Sequence, residues 1–129
     1  MISSKSLEEL DGENWGDPTF DSHLVKESHR LRKVPIGQLT AENLRLLIGQ
    51  AISLHYTVPL AVSMLEQDIL ASGKMYQGDL LCVVAAIEDG FWRKNPDLNN
   101  RLVEVKIEVE QVKQTLSEAL KNLGRREFL

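Results

Sequence analysis

The sequence predicts an all-α fold: a single domain over 1–129, a helical bundle of about five to seven helices closed by a long C-terminal helix. Three observations predict it. Apolar residues recur at helical spacing, most completely at Leu44, Leu47, Ile48, Ala51 and Ile52. Residues that start helices stand where such stripes begin: the Ser6-x-x-Glu9 pair, Ser22, Thr40 and Pro59. The tail, finally, places Leu98, Leu102, Val105, Val109, Val112, Leu116, Leu120 and Leu123 at steps of three and four, one seam along a helix over 97–123.

Taken in order, Ser6 and Glu9 form a capping box, so Leu7 and Leu10 sit on a short helix that Gly12 ends. Residues 14–20 read as a loop that completes an acidic N-terminal segment over 1–20. Asp21 or Ser22 caps a second helix to about Lys33, mostly exposed, with Leu24, Val25 and Leu31 as its anchors, and Pro35 stops it. Thr40 caps the third. Leu46 and Leu54 lie off its stripe, which predicts burial on two sides, and Gly49 in its middle costs roughly 1 kcal/mol relative to Ala, so a second backbone is expected against it. Pro59 belongs in a first helical turn. A fourth helix is therefore expected to start near Thr57, to bury Val58, Ala61, Val62, Leu65 and Ile69, and to close at Gly73.

After the tight connection 74–78 come eight apolar residues in succession, 80–87. The pattern continues through Phe91 and Trp92 to Asn95-Pro96, a length that favours one central helix over a strand, as do Ala85 and Ala86. In the tail, Val103, Val105, Ile107 and Val109 alternate with charged residues as a strand would. The wider seam makes this segment a helix, read as packed on its own domain rather than on a second chain.

Composition bounds the function. An apolar share of 43% with 26% charged residues is that of a soluble globular protein, and 129 residues suffice for one core. The first ten residues hold one lysine and no apolar run, so no secretory signal is expected. The most apolar window, 44–65, contains Arg45, Gln50, His55 and Pro59, which excludes a membrane span there. With the single cysteine Cys82, which has no internal partner for a disulfide, this predicts a cytoplasmic protein. The net charge of −4 is unevenly spread: six carboxylates face Lys5 over 1–21, and five basic residues face Glu27 and Glu42 over 22–45. An acidic balance disfavours nucleic acid as a direct partner and suits a basic protein. The basic helix Lys26, Arg30, Arg32, Lys33 could touch phosphates, but pairing with the acidic segment is its ordinary use.

No reaction chemistry emerges. His23 and His29 are six apart and fall on nearly opposite sides of a helix, so no metal site is expected. Gly73-Lys74 lacks the rest of a phosphate loop, and no nucleophile elbow or dinucleotide fingerprint is present. Glu8-Glu9, Glu88-Asp89 and Glu108/Glu110 come without a second catalytic group and read as surface charge. His55 continues the third helix's stripe and reads as a core or partner-facing residue. Neither an enzyme nor a cofactor is expected.

One resemblance points further. Gly49-Gln50 in an amphipathic helix, Val58-Pro59-Leu60 at a helix start, then Gly73-x-x-Tyr76-x-Gly78-Asp79-Leu80-Leu81, flanked by Trp15-Gly16-Asp17-Pro18 and Phe91-Trp92, resemble the immunity proteins of bacterial contact-dependent growth inhibition systems. The resemblance covers roughly four fifths of the chain and supports the last helix least. It implies an antitoxin that acts by binding the C-terminal toxin domain delivered by sibling cells, a domain that is basic and often a nuclease, with a free monomer giving a 1:1 complex. The expected partner-binding residues are the carboxylates Glu66, Asp68, Asp79, Glu88 and Asp89 near helix ends, Tyr76 at a rim, and Trp92, a residue type enriched among interface anchors. The alternative is a helical adaptor or regulatory protein that uses the C-terminal heptads to hold a partner helix.

Overall fold

Side-chain caps fix where the first three α-helices of this chain begin. In the computed structural model, which describes residues 2–19 and 22–129, seven α-helices and no strand are present among the described residues. Ser6 and Glu9 close the expected capping box on α1 (Leu7–Asp11), and Gly12 ends it at φ 72°. Ser22 caps α2 (His23–Leu31), its Oγ accepting from Val25 N–H at 3.1 Å; Asp21, the other candidate cap, and Phe20 lie outside the described residues. Thr40 and Asn43 form a second capping box on α3 (Ala41–Gly49).

Residues 1–88 and 89–129 are two compact units. In the first, α3, α4 (Leu54–Gln67) and α5 (Asp79–Ala85) pack on one another, with α2 against α3. Leu7, Leu31, Leu44, Leu47, Val58, Ala61, Val62, Leu65, Leu80 and Val84 are fully buried or nearly so. The N-terminal segment is stitched on by backbone bonds, Ile36 N–H to Lys5 O and Glu8 N–H to Arg32 O, each 2.9 Å. The second unit holds α6 (Asp89–Lys94) and α7 (Pro96–Leu123). Asn95 joins them, its Nδ2 donating to Phe91 O at 2.8 Å, and Pro96 opens α7 where its missing N–H costs nothing.

Four expectations fail here. The stripe from Leu44 does not run on as one helix. After Gly49 the chain makes a Schellman turn, with Ala51 N–H to Ile48 O and Ile52 N–H to Leu47 O both at 2.9 Å. Ala51 (φ 54°) and Ser53 (φ 49°) take the left-handed conformation that Gly usually fills. His55 consequently leaves that stripe and is exposed, edge-on to Tyr56. Gly49 has no backbone against it, only the Val83 side chain, which would lie 3.6 Å from a Cβ. Second, α4 begins a turn before the proline rule allows, at Leu54, with Pro59 inside it. Ser53 O accepts from Tyr56 and Thr57 N–H at 2.9 and 3.0 Å, and Thr57 Oγ1 adds a bond to it at 3.2 Å, so the first turn forms without help from Pro59. The helix also stops at Gln67, well before Gly73.

Third, the run from Leu80 is two helices: α5 ends at Ala85, Ile87 N–H turns back to Val84 O at 3.2 Å, and Asp89 opens α6. Fourth, the seam of α7 is not covered along its length. Val105 is buried, Leu98, Leu102, Val109 and Val112 are half-buried, and Leu116, Leu120 and Leu123 are 54%, 65% and 58% exposed.

Candidate functional site

The segment 68–79 between α4 and α5 has no regular structure for most of its length, yet its backbone is bonded almost residue by residue. Asp79 directs this. It stands at the first position of α5, behind Gly78 at φ 86°, and its buried carboxylate turns back into the loop. Oδ1 accepts from Gly73 N–H at 2.6 Å and Oδ2 from Met75 N–H at 3.0 Å and Tyr76 N–H at 3.5 Å, with Arg45 Nε 3.8 Å away. Burial pushes the Asp79 carboxyl up, but the three N–H donors and the Arg45 charge outweigh it and hold the group below its ordinary pKa.

Glu42 on α3 completes the cage. Its Oε1 accepts from Lys74 N–H at 2.9 Å, and both its oxygens grip Arg45, at 2.7 Å each. The Arg45 guanidinium lowers the Glu42 carboxyl to about 2. Ser72 Oγ takes the N–H of Gly78 at 2.8 Å. A side chain at Gly73 would press on the Glu42 carboxylate and lie 3.0 Å from its Cα, so the spacing Gly73, Gly78, Asp79 is a loop-closing device.

What the cage holds out is apolar. Met75 is 67% and Tyr76 57% exposed, and Leu70 is exposed beside them in sequence. Arg45, Met75, Tyr76, Asp79, Cys82 and Val83 line a shallow cleft of about 230 Å³. Cys82 raises the pKa of the Tyr76 hydroxyl through hydrogen bonding. A second cleft of about 270 Å³, lined by Ile48, Gly49, Ala51, Leu54, Val83, Ala86 and Ile87, carries Glu88 at its edge.

A separate network fixes the N-terminus. The Arg32 guanidinium, 3% exposed, donates from both terminal nitrogens to Asp11 at 2.7 and 2.8 Å, to Glu13 O at 2.6 Å and to Ser53 Oγ at 2.9 Å. Ser53 Oγ donates on to Asp11 at 2.8 Å, which is what holds Ser53 in its left-handed conformation. The Trp15 ring covers the guanidinium, 4.4 Å from its centroid, and meets His29 edge-on. Hydrogen bonding from Arg32 draws the Asp11 carboxyl down to about 2. The basic helix thus spends Arg32 on the acidic segment and pairs Arg30 with Glu27.

The seven residues singled out from the sequence fall in different surroundings. Tyr76 is exposed on the loop; Asp79, a few ångströms away, is buried beneath it. Glu66 and Asp68 are exposed at the end of α4, where Asp68 Oδ1 accepts from Leu70 N–H at 2.9 Å. Glu88 and Asp89 are exposed, and Trp92 is buried with Phe91 edge-on to it. Met75 and Leu70, which the cage makes conspicuous, carry no signal in the sequence, because an apolar residue in a loop reads like any other.

A family model of CDI immunity proteins matches residues 9–102. The chain belongs to the CDI immunity protein family. An immunity role and a cognate toxin as binding partner follow from that membership. The matched span includes the cage, the Arg32 network and the α3–α5 core, and stops within α7. No curated protein and no solved structure matches the chain. Among the described residues, no helix is long and apolar enough to cross a membrane, and no group of three His, Cys, Asp or Glu side chains is placed to hold a metal ion.

Proposed function

We propose that this immunity protein neutralises its toxin in the cytoplasm by binding alone, without catalysis or cofactor, and that the loop 68–79 is the centre of the surface it uses. One observation carries the reading: Leu70, Met75 and Tyr76 are exposed on a loop whose backbone is tied down by two carboxylates, one of them buried. A loop ordered before binding loses little entropy on contact, and apolar or aromatic side chains held at fixed positions are what dominate binding energy. The exposed carboxylates Glu66, Asp68, Glu88 and Asp89 on a chain of net charge −4 favour a basic partner, as a nuclease toxin that handles phosphate backbones would be. Asp79 serves this surface from beneath, as the residue that shapes the loop.

Binding kinetics with the purified cognate toxin test the proposal. Tyr76→Ala and Met75→Ala should each raise the dissociation rate by roughly 10-fold or more while leaving the helical spectrum intact. Glu66→Lys and Glu88→Lys should instead slow association, less so as salt rises. Unchanged rates for both loop variants, together with full protection of toxin-expressing cells, would move the interface elsewhere.

A further inference from the structure

We propose that the C-terminal half of α7 is a self-association surface, pairing with the same segment of a second copy of this chain as a parallel two-stranded coiled coil. The helix continues in regular form to Leu123, yet from Leu116 onward its apolar seam has nothing over it. Val109, Leu116 and Leu123 repeat every seven residues, with Val112 and Ala119 between them at the complementary heptad position and Leu120 beside Ala119 at the flanking one.

Charge selects the occupant and the direction. Glu108 and Lys113 flank the seam on opposite sides, five residues apart, a spacing that pairs them between parallel helices and not within one. Ion pairs along this helix include Lys106 with Glu110 and Lys121 with Glu118; Glu108 and Lys113 are in neither. Two parallel copies bring Glu108 of each against Lys113 of the other, twice over. An antiparallel pairing that layers Val112 on Leu116 would instead face Lys113 with itself. The seam also lies beyond residues 9–102, the span that the family model matches. Two heptads are fewer than a self-sufficient coiled coil uses, so the pairing should be weak, with a dissociation constant of roughly 10–100 µM.

Analytical ultracentrifugation of the full chain tests this from about 5 µM to about 500 µM, a range that brackets the expected constant. The wild type should pass from monomer to dimer across it. Leu116→Asp should remain monomeric. Glu108→Lys and Lys113→Glu should each shift the midpoint upward several-fold, and the double variant Glu108→Lys/Lys113→Glu should return it towards the wild-type value with circular dichroism unchanged. A wild type that stays monomeric at the highest concentration overturns the proposal, as does a dimer indifferent to Leu116→Asp. A double variant no better than either single change overturns the parallel register. If instead Leu116→Asp weakens toxin binding while the free chain is monomeric throughout, the seam belongs to the toxin.

Discussion

The loop 68–79 and the C-terminal half of α7 invert the usual association between regular structure and burial. The loop has almost no helical hydrogen bonds, yet buried Asp79 and half-buried Glu42 satisfy its backbone from 73 to 76. Every turn of α7 is regular, and its leucines from Leu116 onward lie in solvent. Backbone regularity is secured by local bonds within a few residues; rigidity in the tertiary sense comes from buried partners, wherever in the chain they sit. An immunity protein can therefore present a fixed apolar loop to one partner and a preformed but uncovered helix face to another.

That contrast can be broken by mutation, most severely at its foundation. Val84 lies fully buried in α5, directly behind the loop anchor, and Val84→Asp should cost about 5 kcal/mol, comparable to the whole stability of a small domain. We propose that 1–129 unfolds as one cooperative domain, so circular dichroism of this variant should lose the α7 signal along with the rest. A helical signal that persists in part would show the two units to be thermodynamically separate.

Asp79→Ala comes next. It strands the N–H groups of Gly73, Met75 and Tyr76 and leaves Arg45 with Glu42 alone, for a loss of about 3 kcal/mol in denaturant unfolding. Asp79→Asn, which keeps one acceptor oxygen, should cost less. If the alanine variant unfolds at the wild-type midpoint, the loop is held by something other than this carboxylate.

Acid should act in the same place, and at the Arg32 network. Asp11 and Glu42 are both lowered to about 2 in the folded chain, from ordinary values of 3.8 and 4.5. A carboxyl depressed by folding stabilises the native state above its unfolded pKa and loses that contribution as pH falls towards the folded one. Stability should therefore be level from neutral pH to about pH 5 and decline between there and pH 2, by at most about 2 kcal/mol per group since both retain some solvent contact. Asp11→Asn and Glu42→Gln should each flatten part of that decline. The smallest effect belongs to the helix: Leu116→Ala at about 1 µM chain should change stability by less than about 0.5 kcal/mol, because nothing covers that side chain in the monomer.

By itself the sequence determined what lies within a few residues of each signal. Ser6 with Glu9, Ser22 and Thr40 begin the helices they were expected to begin, Gly12 ends α1, and Pro96 stands at the entrance to α7. The heptad steps resolved helix from strand in the tail, and the motif through Gly73, Tyr76 and Gly78-Asp79 pointed to the family. The tertiary structure decided the rest. The turn at 50–53 exists because Ser53 is bound to Asp11, 42 residues away, and to Arg32, 21 away, and no local rule places an alanine and a serine at positive φ. From the sequence Asp79 counts among the partner-facing carboxylates near helix ends; the cage shows it turned inward, serving N–H groups that precede it. Periodicity identified the α7 seam as apolar but could not say what covers it, since burial depends on which other surface arrives there and that information is not carried along the helix.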